Sequence, residues 1–354
     1  MAKHISPVDI AGRMVGAGHS PFLVAEMSGN HNQSLERALS IIDSAAESGA
    51  HAIKLQTYTA GTMTLDIRSD EFMVNDEKSL WNGKSLYELY DMAHTPWDWH
   101  EPIFQRAKEL GLIVFSTPFD HTAVDFLETL DVPCYKIASF ENTDLDLIRR
   151  VAQTGKPLII STGMANPSDL HEALVAVRET SSSQVILLKC TSTYPASPDD
   201  SNILTIPHMM DLFDCNIGLS DHNLGIGVPL AAIAHGACFV EKHFTLARSE
   251  GGVDSAFSLE PAEFAILAEE ADRAWRGLGG VKYGQSSSEK SSKIFKRSLY
   301  IVKDMKKGDR LTNDCVRAIR PGHGAAVKYL EDFIGLTLTC DVELGTPVNW
   351  KLFK

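Results

Sequence analysis

The chain has 354 residues, of which 44% are hydrophobic and 22% charged, and this composition excludes disordered and fibrous proteins. Its 33 basic and 46 acidic side chains give a formal net charge of −13, which argues against a nucleic acid partner, because proteins that bind nucleic acids present excess positive charge to the phosphates. No apolar run approaches the roughly 20 residues that cross a bilayer, and the first residues lack a signal-peptide core, so the sequence predicts a cytoplasmic protein with no membrane partner.

Short segments with the composition of buried β-strands alternate with amphipathic segments through the first 280 residues or so. In the first amphipathic segment, at 34–49, Leu35, Leu39, Ile42 and Ala46 recur at helical spacing and predict one buried face. Eight strand-helix units in about 250 residues predict an α/β fold, the (β/α)8 TIM barrel, with a doubly wound open sheet as the alternative. Because no glycine-rich phosphate loop follows the first strand, the barrel is favoured. The predicted strands are FLVAEMSG (22–29), HAIKLQTY (51–58), LIVFSTPF (112–119), CYKIAS (134–139), PLIISTGM (157–164), VILLKCTSTY (185–194), CNIGLSDH (215–222) and CFVEKHFTL (238–246).

Three further segments complete the predicted organisation. Residues 59–96 form an unusually long connection after the second strand, and we expect them to lie over the mouth of the barrel. Residues 282–293, KYGQSSSEKSSK, have the small polar composition of a linker. The last part of the chain contains short β-rich pieces, and the Asp-x-x-x-Gly pattern of 302–311 returns in 339–348. The predicted domains are a barrel at 1–281, a linker at 282–296 and a small β-rich domain at 297–354.

Two of the lysines in the predicted strands are candidate site residues. Lys54 shares one face of its strand with Gln56, and Lys136 lies two strands further on. If that face points into the barrel, each ammonium needs an anionic partner, because burying it unpaired is costly. In one interpretation, both lysines bind the phosphate or carboxylate of a substrate. The alternatives are a structural ion network with Glu26 and Glu141, side chains that extend to the surface, or a Schiff-base lysine of an aldolase.

Two histidines occupy the ends of adjacent predicted strands. His222 ends the seventh strand and His243 lies in the eighth, with Asp221 and Glu241 beside them. A single histidine at a strand end is more often a hydrogen-bonded core residue than a ligand, but imidazoles on adjacent strands suit Mn, Fe, Co or Zn. Two histidines without a clear third ligand predict an open metal site whose remaining positions take water or substrate oxygen.

A candidate binding residue lies near the end of the chain. Arg320 precedes a Pro-Gly turn in IRPGHG, at 319–324. Its guanidinium presents a rigid fork of donors to an amide, a carboxylate or a phosphate. Taken alone, an arginine in such a turn is more often a surface residue.

A series of motifs, in chain order, resembles the sialic acid synthases, which join phosphoenolpyruvate to a six-carbon amino sugar. The motifs span nearly the whole chain, and their joint pattern is far more specific than any single one. The turn SGNHNQS and the later run CTSTYPA resemble the pseudaminic acid synthase branch of that family. The motifs are AEMSGNHNQSLERA, KLQTYT, FSTPFD, YKIAS with FEN, STGM, CTSTYP, GLSDH, EKHFT and IRPGHG.

The resemblance implies a TIM barrel followed by an antifreeze-like (SAF) domain, which in a domain-swapped homodimer covers the active site of the other subunit. It implies a divalent metal, Mn, Mg or Co, bound by His222 and His243. It places Glu26 and Glu141 at catalytic positions, together with the two strand lysines. It also implies that phosphoenolpyruvate is held by Lys54, Thr117, Lys136, Ser139, Ser192 and Ser220, and that the sugar faces Gln56, Tyr194, Asp254 and Arg320.

The implied reaction condenses phosphoenolpyruvate with 2,4-diacetamido-2,4,6-trideoxy-altrose and water, and gives pseudaminic acid and phosphate by C–O cleavage. A carboxylate, Glu26 or Glu141, would stabilise positive charge at carbon 2 of phosphoenolpyruvate or activate the water that adds there. The alternatives are an N-acetylneuraminate or legionaminate synthase, a Schiff-base aldolase, and a non-catalytic glycan-binding protein. The many polar residues at the predicted strand ends argue against the last of these.

Overall fold

A computed structural model describes residues 5–75, 81–181 and 183–354. The chain divides into two compact units, Met1–Gly279 and Gly280–Lys354, which we call the barrel unit and the C-terminal unit. The predicted linker at 282–296 falls within the C-terminal unit, where Ser291–Phe295 forms a 3-10 helix. Among the helices in these described ranges, none combines the length and hydropathy that a membrane span requires.

Eight parallel strands of the barrel unit close into one barrel, which confirms the predicted fold. All eight predicted strands are present, and each ends earlier than predicted because the last residues of the predicted segment already belong to the following loop. A short antiparallel hairpin, which was not predicted, precedes the barrel. The strands are β1 Val8–Ile10 and β2 Arg13–Val15 in the hairpin, then β3 Phe22–Glu26, β4 Ala52–Thr57, β5 Ile113–Pro118, β6 Tyr135–Ile137, β7 Leu158–Ser161, β8 Val185–Cys190, β9 Asn216–Asp221 and β10 Phe239–His243.

Helices follow the strands and cover the outside of the barrel. They begin at capping residues: the Ser34 side chain accepts a hydrogen bond from Arg37 N at the first helix, and Asn166 and Asp169 form a capping box at the seventh. The helices are α1 Leu35–Glu47, α2 Ala60–Met63, α3 Leu86–Ala93, α4 His100–Glu109, α5 His121–Thr129, α6 Leu145–Ala152, α7 Pro167–Thr180, α8 Thr205–Phe213, α9 Gly227–Ala234 and α10 Pro261–Leu278.

The predicted buried face of α1 was partly wrong. The fully buried residues are Ala38, Ile41, Ile42 and Ala45, of which only Ile42 had been predicted. The larger predicted residues are half-buried at the flanks of that face, where α1 packs beside α4 and α10. Small alanines in the centre allow the helix to approach the strands closely, so side-chain size as well as periodicity determined the face.

Side chains alternate along each barrel strand between the interior and the helix layer. Outward residues such as Leu23 and Leu55 join the large apolar cluster that includes the helices. Inward residues at the amino ends of the strands, among them Phe22, Phe115 and Phe239, form a separate apolar cluster. We call this inward cluster the lower half of the barrel interior.

The N-terminal hairpin packs on the lower half. Val8, Ile10 and Val15 are buried and belong to the same cluster as the inward residues at the amino ends of the strands. The hairpin therefore closes the lower end of the barrel with apolar side chains, and the interior there is a packed core.

The long connection at 59–96 carries short elements of its own. It contains α2 and α3, and an isolated bridge joins Met73 to Ser85. Residues 76–80 of this connection lie outside the described residues.

The C-terminal unit contains β11 Ser298–Ile301, β12 Val316–Ile319 and the short α11 Leu330–Phe333. The two strands pair antiparallel. The repeated Asp-x-x-x-Gly pattern forms two turns that bond to each other: Asp304 Oδ1 accepts from Leu344 N at 2.7 Å, and Asp341 Oδ1 accepts from Lys307 N at 2.8 Å. The repeat in the sequence is therefore a structural repeat in which each turn completes the other.

Candidate active site

Charged side chains replace apolar ones at the inward positions nearest the carboxyl ends of the barrel strands. On β3, Glu26 follows Val24 along the inward face, and on β4, Lys54 follows Ala52. Because TIM-barrel active sites lie at the carboxyl ends of the strands, we call this layer the upper half of the interior and take it as the candidate active site. Its inward polar residues are Glu26, Lys54, Gln56, Thr117, Lys136, Ser161, Cys190, Ser220, Glu241 and His243.

Two buried lysines share one carboxylate in the centre of the upper half. Lys54 Nζ lies 3.8 Å, and Lys136 Nζ 3.6 Å, from the same atom, Glu241 Oε1. Ser220 donates a hydrogen bond of 3.1 Å to that oxygen. Lys54 also pairs with Glu26, at 2.6 Å from Nζ to Oε2. Both lysines therefore lie next to one carboxylate oxygen, on the face of the sheet that points into the barrel.

The observed pairs bear on the alternative of a structural ion network. Lys54 pairs with Glu26 as that alternative predicted. Lys136, however, donates to Ser161 Oγ at 2.6 Å and lies near Glu241, and no ion pair among the described residues joins it to Glu141. The second half of that alternative is therefore wrong, and the anionic partner of Lys136 comes from β10.

The two lysines differ in their affinity for a proton. Burial lowers the pKa of Lys54, but attraction by Glu241 and Glu26 outweighs burial, and the net shift is upward. At Lys136 burial prevails and the pKa is lowered. Burial opposes ionisation of Glu241 as well, but the two lysines lower its pKa. A substrate anion near Lys136 would favour the charged form of that lysine, because its present partners do not fully compensate burial.

Glu141 lies just beyond β6, in the 3-10 turn Ser139–Glu141. Its Oε2 is buried and has no hydrogen-bond partner among the described residues. Burial raises the pKa of this carboxyl to about 7, against the opposing effect of Lys136. A carboxyl group with a pKa near neutrality and one oxygen without a partner can take or give a proton at physiological pH.

His222 and His243 face each other with ring centroids 5.3 Å apart. A contact of 2.9 Å between His222 Nδ1 and Thr191 O orients the first ring. His243 Nδ1 is buried without a hydrogen-bond partner among the described residues, and lies 3.6 Å from Asp254 Oδ2. Burial, with His222 nearby, holds the pKa of His243 well below its ordinary value, so its imidazole is neutral, the form that binds metals.

The residues present fit a divalent metal held by two imidazoles. Within the described ranges, no group of three or more His, Cys, Asp or Glu side chains has the geometry of a metal site. The neutral ring and unpartnered Nδ1 of His243, opposite His222, suit a site in which the protein supplies two ligands. The other coordination positions would then be open to water or substrate oxygen.

Hydroxyl groups surround Gly163, directly after β7. A Cβ on this glycine would lie 2.7 Å from Ser139 Oγ and would also collide with Ser192. Gly163 N donates to Ser139 Oγ at 3.2 Å, and on the far side of the lysines Thr117 Oγ1 accepts from Lys54 Nζ at 3.1 Å. Backbone N–H groups and hydroxyls beside ammonium groups are the donors that bind phosphate oxygens.

Two of the residues predicted to face the sugar lie beside the charged layer. Gln56 Nε2 donates to Glu26 Oε1 at 3.1 Å and to Ser28 Oγ at 3.2 Å. Asp254 is buried, accepts a short hydrogen bond from Ser28 and approaches His243. The polar ends of both side chains therefore meet at Ser28, next to the histidine pair.

The other two predicted sugar-facing residues differ in their placement. The Tyr194 ring packs 4.4 Å from the His222 ring and 5.4 Å from Phe257, centroid to centroid, so it lies at the mouth of the barrel. Arg320 is exposed in the C-terminal unit, immediately before a cis proline. Its predicted contact with the sugar stays a prediction.

Three of the inward polar residues were not predicted as site residues: Glu241, the shared counter-ion, Ser161, the partner of Lys136, and Cys190 at the end of β8. A signal for Glu241 was present in the sequence, since it precedes His243 by two residues and therefore shares its inward face. Its partners could not be deduced, because they depend on how the strands are staggered around the barrel.

Two family models match the chain. The NeuB family matches residues 41–283, and the SAF domain matches residues 296–354. The second match confirms the predicted type of C-terminal domain.

Known proteins are similar over most of the chain. The pseudaminic acid synthase of Helicobacter pylori is 39% identical over 93% of this chain and 96% of its own length. The N,N'-diacetyllegionaminic acid synthase of Campylobacter jejuni is 33% identical over 90% of this chain and 95% of its own length. The crystal structure of the N-acetylneuraminic acid synthetase of Leptospira borgpetersenii, in complex with citrate, matches with a TM-score of 0.72 and 30% identity, covering 81% of this chain and 95% of that one.

Proposed function

The chain belongs to the NeuB family, and from this membership we propose that it condenses phosphoenolpyruvate with an N-acetylated amino sugar and water, with release of phosphate. The sugar is 2,4-diacetamido-2,4,6-trideoxy-altrose, and the product is pseudaminic acid. The observation that carries the proposal is the pair of buried lysines around Glu241, beside two facing histidines. The similarity to pseudaminic acid synthases supports this sugar over those of the other branches.

Phosphoenolpyruvate carries a phosphate and a carboxylate, and a protein of net charge −13 attracts such an anion only through local positive charge. Lys54 and Lys136 provide that charge in a site shielded from water, where it acts most strongly. The hydroxyl groups around them supply neutral donors for the remaining oxygens. These donors are Thr117, Ser139, Ser192 and Ser220.

His222 and His243 are the residues that would hold a divalent metal, Mn, Mg or Co. When bound, such a metal polarises the aldehyde oxygen of the open-chain sugar and makes its carbon 1 electrophilic. Asp254 and Gln56, whose polar ends meet beside His243, would orient the sugar hydroxyl and amide groups. Tyr194 would form one wall of the sugar site through its contact with His222.

The bond changes follow from this placement. Carbon 3 of phosphoenolpyruvate attacks carbon 1 of the sugar, whose aldehyde oxygen takes up a proton and becomes a hydroxyl. Water adds at carbon 2 and supplies that proton. The tetrahedral adduct then loses phosphate by cleavage of the C–O bond, as the new hydroxyl at carbon 2 gives up its proton and becomes the carbonyl. We assign the proton of the added water to Glu141, whose unpartnered Oε2 and pKa of about 7 suit a general base. Glu26, held by Lys54, places a carboxylate where positive charge develops at carbon 2.

Phosphate release tests the reaction and the sugar together. The purified protein is given phosphoenolpyruvate, Mn²⁺ and, in separate reactions, the altrose sugar, its legionaminate-branch counterpart and N-acetylmannosamine, and product masses are measured. Turnover with the altrose sugar alone is expected. Turnover with another sugar alone would keep the reaction and overturn the branch.

An aldolase would behave differently in a parallel experiment. A Schiff-base lysine is trapped by borohydride in the presence of pyruvate. The expected result is no trapped adduct on Lys54 or Lys136 by mass spectrometry, and an adduct without phosphate release would replace the proposed function by the aldolase reaction. Binding of the sugars without turnover of any of them would support a glycan-binding protein.

The proposal includes a homodimer in which the C-terminal unit of one subunit covers the site of the other and contributes Arg320. Light scattering after gel filtration should give twice the chain mass of 38.8 kDa. Mixing Arg320→Ala with Lys136→Met should restore part of the lost turnover, because one site in each mixed dimer would then have both residues. A monomer, or mixtures with no gain in turnover, would refute the shared site.

We propose the cytoplasm as the place of action. Phosphoenolpyruvate is an intermediate of cytoplasmic metabolism, so the substrate is available there. The six cysteines are all free thiols, the usual state in a reducing compartment. Cell fractionation with an antibody to the chain would test this placement.

A further inference from the structure

A buried ion pair interrupts the apolar layer between the barrel and its helices. The outward residues of β9 and β10 are apolar, as at Leu219 and Val240, until the last outward position of each strand. Those positions hold Asp221 and Lys242, which lie opposite each other in the strand register. Lys242 Nζ is 2.9 Å from Asp221 Oδ2, and both residues are buried. This charge lies on the outer face of the sheet, away from the inward site.

Stability does not account for an ion pair at this position. Removing two charges from water costs several kcal/mol for each ion, and replacement of a buried pair by apolar residues of similar volume is often neutral or stabilising. The surrounding layer is already apolar. An ion pair in such surroundings therefore indicates a role in orienting the two strands, as in other proteins where buried polar groups fix one arrangement of the chain.

The pair lies directly behind the two histidines. Asp221 is the last residue of β9 and directly precedes His222, and Lys242 precedes His243 on β10. Because side chains alternate along a strand, a bond between the two outward residues fixes the backbones from which both imidazoles project inward.

A second set of bonds holds the other side of His222. Lys242 Nζ donates a short hydrogen bond to Asn223 O. Asp221 Oδ1 accepts from Asn223 N at 3.2 Å and from Asn223 Nδ2 at 2.6 Å, and Asn223 Nδ2 also donates to Ser201 Oγ at 3.0 Å. The residues before and after His222 are thus both tied to the lysine that precedes His243.

We propose that the Asp221–Lys242 ion pair is a positioning device that sets the separation and orientation of His222 and His243, and through them the affinity for a divalent metal. The inference rests on the proposed function, in which these two histidines hold that metal. Groups that orient metal ligands from behind typically change metal affinity by about 10- to 100-fold when they are removed.

The test measures Mn²⁺ binding to metal-stripped protein by electron paramagnetic resonance of free Mn²⁺, without any assay of turnover. The variants are Lys242→Met, Asp221→Asn and the double variant D221N/K242M, which leaves no unpaired buried charge. The expected result is a Kd for Mn²⁺ raised about 10-fold or more in each. Metal-free binding of phosphoenolpyruvate, measured by calorimetry, should weaken far less than Mn²⁺ binding, because Lys54 and Lys136 lie on other strands and only the neutral Ser220, among the residues assigned to this substrate, lies on β9.

Tyr135→Phe is the matched control. Tyr135 is also a buried outward residue, and its hydroxyl donates to Glu128 Oε1 at 2.6 Å, but it lies at the start of β6, on a strand that carries neither histidine. Its loss should lower the free energy of unfolding and leave the affinity for Mn²⁺ unchanged. A parallel loss of Mn²⁺ affinity in this control would mean that general destabilisation, not positioning, explains the effect.

Two results would overturn the inference. One is a folded Lys242→Met or double variant that binds Mn²⁺ within twofold of wild type. The other is weaker phosphoenolpyruvate binding to the same degree as Mn²⁺ binding, which would indicate general disruption of the site. If neither variant folds, Asn223→Ala removes the side-chain hydrogen bonds to Asp221 and Ser201, and the variant is judged by the same two affinities. Wild-type protein that turns over but binds no Mn²⁺ would overturn the metal assignment itself, which distinguishes that failure from failure of the positioning role alone.

Discussion

The lower and upper halves of the barrel interior share one pattern of alternation and have opposite chemistry. Below, inward residues such as Phe22 and Phe239 pack with the hairpin in a wholly apolar cluster. Above, nearer the carboxyl ends of the strands, Glu26, Lys54 and Glu241 form a buried charged cluster. The same strands therefore supply packing at one end and reactive groups at the other.

This difference explains how the fold tolerates buried charged groups. Apolar burial in the lower half and the helix layer contributes stability, roughly in proportion to area, without depending on particular partners. The upper half contains groups whose burial is unfavourable unless their partners are placed accurately. Substitutions in the lower half should thus change stability, and substitutions in the upper half should change binding and turnover.

The largest expected effect is on stability in the lower half. Phe22→Ala removes a fully buried ring and should lower the free energy of unfolding by about 3–5 kcal/mol. Urea unfolding followed by circular dichroism measures this loss. The kcat of the folded variant should remain within about threefold of wild type, since the ring lies two inward positions below Glu26. A kcat that falls by the factor equivalent to the lost free energy of unfolding would contradict the proposal that the lower half determines stability and the upper half determines activity.

Lys136→Met should have the complementary effect in the upper half. Loss of a buried cation that stabilises substrate charge should lower kcat/KM by about 100- to 1,000-fold. The free energy of unfolding should change little by comparison, because burial already disfavours the charged lysine and lowers its pKa. Steady-state phosphate release measures the first quantity and urea unfolding the second.

Lys156→Met is the control for that variant. Lys156 lies in the turn before β7, where it pairs with Glu128 and Asp131 at 2.9 and 3.3 Å. Its substitution should leave kcat/KM unchanged. Wild-type turnover in Lys136→Met would contradict the role assigned to the buried lysine.

At high pH, Glu141→Gln should have a larger free energy of unfolding than wild type, because the ionised Glu141 carboxyl is less stable in its buried position than in the unfolded chain. The pKa of Glu141 is about 7 in the folded protein and near its ordinary value of 4.5 when unfolded, so the folded state binds the proton more tightly. Its stabilising contribution is full below the unfolded pKa and is lost as the pH rises through 7. Relative to wild type, the glutamine variant should gain on the order of 3 kcal/mol between these limits, while turnover falls.

Urea unfolding of both proteins from about pH 5 to pH 8 measures this change, since other titrating groups cancel in the difference. A stability difference that does not vary with pH would show that the folded and unfolded carboxyls have the same pKa. It would also remove the reason for choosing Glu141 as the general base.

Ile10→Val should have the smallest effect. It removes one methylene group from the hairpin that closes the lower half, and we expect a loss of about 0.5–1.5 kcal/mol in the free energy of unfolding, with unchanged kcat/KM. The melting temperature by calorimetry measures it. No loss would mean that the hairpin does not take part in the packed lower half.

Much of the fold could be predicted, because each barrel strand is buried on both faces and therefore appears as a short apolar run between amphipathic segments. The hairpin could not be predicted, because each of its strands has only three residues. Their apolar side chains are buried only by contact with the lower half of the barrel interior. In α1, periodicity located the helix, but packing of the small Ala38 and Ala45 determined the buried face.

The site shows the same limit. Residue types and strand ends identified Lys54, Lys136 and the two histidines from the sequence. That Lys136 lies near Glu241 rather than forming an ion pair with Glu141 depends on the stagger of strands across a closed barrel, which no local pattern determines. The outward Asp221–Lys242 ion pair could not be predicted either, because nothing in the sequence distinguishes these two residues from other residues next to the histidines.

Closure of the barrel also has a consequence for the order of events during synthesis. Glu26 belongs to the first barrel strand, and its register partner His243 belongs to the last. A growing chain that has not yet released β10 contains both lysines but lacks Glu241, so Lys136 has none of its carboxylate partners in the site. The charged cluster cannot form progressively and must await the most distant contacts in the unit, which places its assembly at the end of folding. Activity in a newly made chain would then report that the barrel has closed.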